Sequence, residues 1–106
     1  MECYRQGDVL LVKVDEPPAD TRTVPRDGRG RFVLAEGEAT GHAHVVVGPE
    51  AQLVTQEQAD ELYLLVYGDE VVVEHEEHDA IHLPPGSYRV IRQREYAPGS
   101  VRFVAD

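Results

Sequence analysis

The chain has 106 residues, of which 42 % are hydrophobic, with nine glycines and seven prolines. That length allows one hydrophobic core, and the composition excludes intrinsic disorder and a helical bundle. A formal charge of −10 repels nucleic acid at long range, and a single cysteine, Cys3, excludes an intrachain disulfide. The first residues lack a basic region followed by an apolar one, and every apolar run falls far short of the ~20 residues of a membrane span. The expectation is a cytoplasmic protein that does not enter a membrane.

Residues 8–14 form a Val- and Leu-rich run of strand length. Pro17 and Pro18 end it, since proline has no backbone donor. A polar stretch at about 15–30, with Pro25 and an Asp27-Gly28 turn signal, reads as a long loop. Residues 31–36 read as a strand, 37–41 as a turn or bulge, and 42–47 as a strand stopped by Gly48-Pro49. Alternation there places His42, His44 and Val46 on one face and Ala43, Val45 and Val47 on the other. The second face is the wholly apolar one, so the histidines are expected to look toward solvent.

Residues 56–62 have some helical character. Residues 62–66 and 71–75 read as a hairpin around Gly68-Asp69, a loop with glycine first. Counting outward sets Val66 against Val71, Leu64 against Val73 and Leu62 against His75, all on the core side. Residues 76–79 are too polar for a buried strand. Residues 80–83 form a short strand ended by Pro84-Pro85-Gly86, 87–95 form another, 97–100 turn, and 101–104 close the chain. About eight or nine short strands at roughly 8–12-residue spacing predict an all-β fold, a single-domain β-barrel or β-sandwich over 1–106.

All five histidines fall into two clusters: His42 and His44, then His75, His78 and His82. Two imidazoles one pleat apart can grip one ion, and His75 would point inward as a third ligand. The expected metal ligands are His42, His44, His75 and His82, holding a divalent Zn, Fe, Mn or Ni. His75 and His78 would point apart on a straight strand, and their spacing is not the helical His-Glu-x-x-His of zinc proteases. Glu36, Glu38 and Glu74 are further candidate carboxylates. The alternative is a set of solvent-facing or structurally hydrogen-bonded histidines.

Gly37, His42 and His44, followed by the Pro84-Pro85-Gly86 turn, resemble the two motifs of the cupin superfamily across residues 37–93. The resemblance implies a small β-barrel holding a divalent metal through His-x-His, a Glu and a further His. The spacing from Gly37 to His42 is one residue short. The Glu would fall at Gly48 or Pro49, with Glu50 displaced, and Arg89 stands where the last His is expected. A fainter topological likeness to the small co-chaperonin barrel carries no residues over.

Nine of the ten basic residues are Arg. In residues 88–96, Arg92 and Arg94 share a face with Tyr88, Val90 and Tyr96, which suits an acidic ligand or partner; pairing with Glu74, Glu76 and Glu77 is the structural alternative. The expected function is a small cupin-like metal-binding protein, acting through Lewis-acid or activated-water chemistry if it is an enzyme. Its partners would be a small molecule or a protein. The alternative is a non-enzymatic interaction module or accessory subunit, including a homo-oligomer, using its loop, strand edges or Arg-rich strand. Nucleic-acid binding through the Arg face is opposed by the net charge.

Overall fold

A computed structural model describes residues 2–36 and 42–92. The described residues form ten strands and no helix: β1 (Cys3–Gln6), β2 (Val9–Val14), β3 (Thr21–Val24), β4 (Phe32–Glu36), β5 (Ala43–Val47), β6 (Ala51–Gln56), β7 (Glu61–Val66), β8 (Val71–Glu74), β9 (Ile81–Leu83) and β10 (Gly86–Arg92). Among the described residues, therefore, no helix is long and apolar enough to cross a membrane. A six-stranded sheet in the order β1-β2-β10-β7-β6-β3 faces a four-stranded sheet in the order β4-β5-β8-β9. Every pairing is antiparallel, and neither sheet closes on itself. The expected all-β fold is present. The 37–41 turn, Glu38, the 97–100 turn, the 101–104 strand and Arg94 lie outside the described residues.

The core lies between the sheets. Val9, Leu11, Leu53, Leu64, Val66, Tyr88 and Val90 line it from the larger sheet, and Phe32, Leu34, Val46, Val71, Val73 and Leu83 from the smaller. Leu34 and Ala35 are both buried although adjacent, because the β4–β5 register shifts between Val33 and Ala35. An irregularity of this kind re-aims consecutive side chains. Tyr88 is fully buried and donates its hydroxyl to Pro84 O at 2.7 Å. Burial pushes that phenol up to about 12, with smaller contributions from Tyr4 and Glu2.

Three expectations need correction. The apparent hairpin around Gly68-Asp69 is a crossing between sheets: β7 pairs with β6 and β10, while β8 pairs with β5 and β9. The Glu50 carboxylate lies where a Gly68 side chain would go, and its Oε1 accepts the Asp69 N–H at 2.6 Å, latching the corner. Gly68 takes φ +85°, the left-handed region that suits glycine. The stretch given helical character is instead the end of β6, the loop 57–60 and the start of β7, with Asp60 at φ 54°. The 15–30 stretch is not all loop, since it holds β3, paired along the edge of β6.

The rest of that stretch is ordered by Asp27. Its carboxylate accepts the backbone N–H of Arg29 and Arg31 and pairs with the Arg31 guanidinium at 2.8 Å. The backbone hydrogen bond from Arg31 leads the causes that hold Asp27 down at about 2, from an ordinary 3.8. The folded pKa is depressed, so this clamp is at full strength above the unfolded value and is lost as pH falls toward about 2. A carboxyl NMR titration should give Asp27 a midpoint near 2; a midpoint at 4 would show the clamp absent in solution.

Candidate functional site

The β1–β2 hairpin turns on Gly7-Asp8. Glycine stands first, at φ +61°, as a type II′ turn requires. This turn projects Gln6 and Asp8 against the inner end of β5. His44 there is 2 % exposed, and Gln6 is buried with it. The Gln6 amide nitrogen lies 3.0 Å from Val73 O and 2.8 Å from Asp79 O. Two carbonyls demand the donating end of the amide, so Oε1 is the end that faces His44 Nδ1 at 2.8 Å. The network therefore assigns the His44 proton to Nδ1. His44 Nε2 is left facing Asp8 Oδ1 at 3.2 Å. Burial holds the imidazole below its ordinary value, as does the neighbouring His75, against an upward pull from Asp8. His44 is thus held between an amide oxygen on Nδ1 and a carboxylate on Nε2, and the second contact is an ion pair when the ring is protonated.

The second half of the site is the segment after β8. The chain bends through residues 76–78. The Glu76 carboxylate accepts the Ala43 N–H at 3.1 Å, which holds the bend over β5 and lowers the pKa of Glu76. His75 stacks on His44 with ring centroids 4.2 Å apart, and His78 lies 4.7 Å from His75 and 6.0 Å from His44. His42 stands edge-on to His75 at 5.9 Å, with Nδ1 3.4 Å from Glu77 Oε2. His75 Nδ1 accepts the Glu77 N–H at 3.0 Å, so its neutral ring carries the proton on Nε2. A Cβ on Gly7 would sit 2.7 Å from His78 Nε2, so the imidazole reaches the turn because glycine is there.

Residues 5–93 match the family described as a domain of unknown function, DUF8820. The chain belongs to the DUF8820 family. No curated protein and no solved structure matches it. The matched span of the DUF8820 domain includes Gln6, Asp8 and all five histidines.

Of the four expected ligands, the DUF8820 fold gathers His42, His44 and His75, and adds His78. His82 stands apart on β9, exposed, with Nδ1 2.7 Å from Glu70 Oε1. The expectation that His42 and His44 look outward fails for His44, because the β1–β2 turn offers it polar partners inside the fold. Arg92 lines a groove with Asp60, Glu61 and Arg89, and Arg89 pairs with Glu61 at 3.1 Å. Arg89 is thus an ion-pair residue on the six-stranded sheet, while Glu50 latches the Gly68 corner. Neither supplies a donor to the histidines, so the cupin ligand quartet does not fit this chain.

Among the described residues no group of three or more His, Cys, Asp or Glu is placed so that it could hold a metal ion. His44 and His75 stack face to face, so their in-plane lone pairs do not meet at one point. His44 Nε2 and Asp8 Oδ1 make one contact of 3.2 Å, an ion pair when the ring is protonated. Sequence reasoning missed Gln6 and Asp8. The signal was available, since Gly7-Asp8 has the same glycine-first form as Gly68-Asp69. A shallow cavity of about 170 Å³ beside His75, lined also by Arg31, Val45 and Glu76, gives the cluster access to solvent.

Proposed function

We propose that this DUF8820 domain is a small metal-binding protein that holds a divalent Zn, Fe, Mn or Ni ion at its histidine cluster. The observation that carries the reading is the buried His44 imidazole, held between Gln6 Oε1 and the Asp8 carboxylate beside the His75 and His78 rings. Metal-bound histidines commonly donate their other ring N–H to a fixed acceptor, and Gln6 supplies one here. The ion would contribute Lewis-acid chemistry, polarising an oxygen or lowering the pKa of water. The chain's own part is to orient His44 through Gln6, to keep that ring dry, and to leave the exposed His78 side open to a small molecule. A cytoplasmic location suits a protein with one exposed cysteine.

The interaction-module reading has less support. Val47 and Tyr67, 43 % and 50 % exposed, are the large apolar side chains at the surface among the described residues. Two such side chains are too little for a standing protein interface.

Untagged protein stripped with a chelator should gain thermal stability on adding one of Zn, Mn, Fe(II) or Ni. At a free concentration of ~100 times Kd the gain is about 2.7 kcal/mol. Protein isolated without bound metal, whose melting temperature none of the four ions moves, would sink the proposal.

A further inference from the structure

We propose that the groove where β7 begins and β10 ends binds a small zwitterion, an α-amino acid, with its carboxylate on Arg89 and its ammonium on Asp60. The site is separate from the histidine cluster and does not depend on the metal-binding reading. The groove has a volume of about 180 Å³ and is lined by Asp60, Glu61, Leu62, Arg89, Ile91 and Arg92.

The first support is a guanidinium held in place with donors to spare. Tyr88 and Val90 face the core, so Arg89 and Ile91, which alternate with them along β10, face away from it. Arg89 stands beside Tyr63 in the register with β7. Glu61 Oε2 pairs with the Arg89 guanidinium at 3.1 Å, and Glu61 Oε1 accepts the Tyr63 hydroxyl at 2.7 Å. Both oxygens of Glu61 are therefore engaged, and the guanidinium is braced from one side. A guanidinium carries five N–H donors in a planar fork. Apart from the Glu61 pair, Arg89 has no partner among the described residues, so a second edge of the fork remains for a carboxylate.

The second is a carboxylate of opposite need on the same groove. Asp60 closes the 57–60 loop at φ 54°, and its N–H donates to Gln56 O at 3.2 Å. The turn fixes where this residue stands, and Asp tolerates that backbone better than most residues do. Its side chain takes no hydrogen bond or ion pair among the described residues. Arg92 also lines the groove, but it has an interaction of its own and is not counted as a donor. One spare fork and one spare carboxylate call for a ligand that carries both charges.

The third is size. The volume falls below the ~300–1,000 Å³ of sites for drug-sized ligands. Two arginines and two carboxylates leave the lining without net charge, so a polyanion gains little there. Leu62 and Ile91 add apolar surface, which suits an aliphatic side chain.

The test is a ¹H–¹⁵N NMR titration of the full chain with L-leucine. Shifts should gather at residues 60–62 and 89–92, including the Arg89 Nε–H, with a Kd on the order of 1 mM for so small a ligand. Arg89→Gln and Asp60→Asn should each weaken binding ~10-fold, the usual loss for a hydrogen bond to a charged group. Isocaproate and isoamylamine, which are leucine without its ammonium and without its carboxylate, should each bind ~10-fold more weakly than leucine for the same reason. Thermal melts establish that both variants are folded. Leucine that moves none of these signals overturns the proposal. So does isocaproate or inorganic phosphate that binds as tightly as leucine, or a folded Arg89→Gln variant whose affinity is unchanged.

Discussion

Replacing Gln6 with alanine is expected to cost about 3 kcal/mol, because one side chain serves two buried groups and a part-buried one. Its amide donates to Val73 O on β8 and to Asp79 O beyond the bend, and accepts from His44 Nδ1. Truncation leaves the buried Val73 carbonyl and His44 ring N–H without partners, along with the part-buried Asp79 carbonyl. Each unsatisfied buried group costs ~1–3 kcal/mol, reduced where the surroundings relax. Gln6→Glu should be no better, since a carboxylate would face the same two carbonyls as a third acceptor. Urea unfolding, with the m-value unchanged, gives the difference directly. A loss below about 1 kcal/mol would mean that the three groups find other partners, and the Gln6 network would lose its claim to order the site.

The largest purely apolar effect is expected at Leu64. This side chain is fully buried at the centre of β7, between Leu53 of β6 and Tyr88 of β10. Strands flank it on both sides and the four-stranded sheet covers it, so the walls have little room to collapse. Leu64→Ala should therefore cost about 3 kcal/mol, most of it from the cavity left behind. In a domain of this size that lowers Tm by roughly 12–20 °C. Leu65→Ala, one residue on and pointing to the opposite face, is the control and should cost under about 1 kcal/mol. Equal effects at the two positions, in a thermal melt, would contradict the buried face assigned to β7.

The Leu64 face was legible in the sequence, and its partners were not. Alternation alone put Leu64, Val66, Val71 and Val73 on the core side, and all four are buried. The same alternation paired Val66 with Val71 as hairpin neighbours. In the fold Val66 lies beside Ala51 and Gly86, and Val71 beside Leu83. Side-chain parity is a local property with a period of two residues, so it survives in either arrangement. A sandwich crossing and a hairpin both turn Val66 and Val71 inward. What separates them is a distant carboxylate, Glu50, at the Gly68 corner, and no local pattern contains it.

The histidine site divides in the same way. His75 was placed with His42 and His44 through a hairpin register that the fold replaces with β8–β5 pairing, and His78 was not among the expected ligands. On a straight strand His75 and His78 diverge, and the bend through 76–78 removes that restriction. The outward orientation expected for His44 came from comparing the two faces of its own strand. The deciding partners stand 38 and 36 residues away along the chain, at Gln6 and Asp8. A polar side chain buried by long-range partners looks, from its own neighbours, like a surface residue.

The reach of Gln6 also bears on when the site comes into being. Its longest hydrogen bond closes on Asp79, 73 residues later. During synthesis the His44 ring has no fixed tautomer until residue 79 has left the ribosome and the two sheets have met. Contacts of this sequence separation form late and slowly. The buried His44 network is consequently a product of finished folding. A nascent or partly unfolded chain scatters its histidines, and only the completed sandwich stacks them.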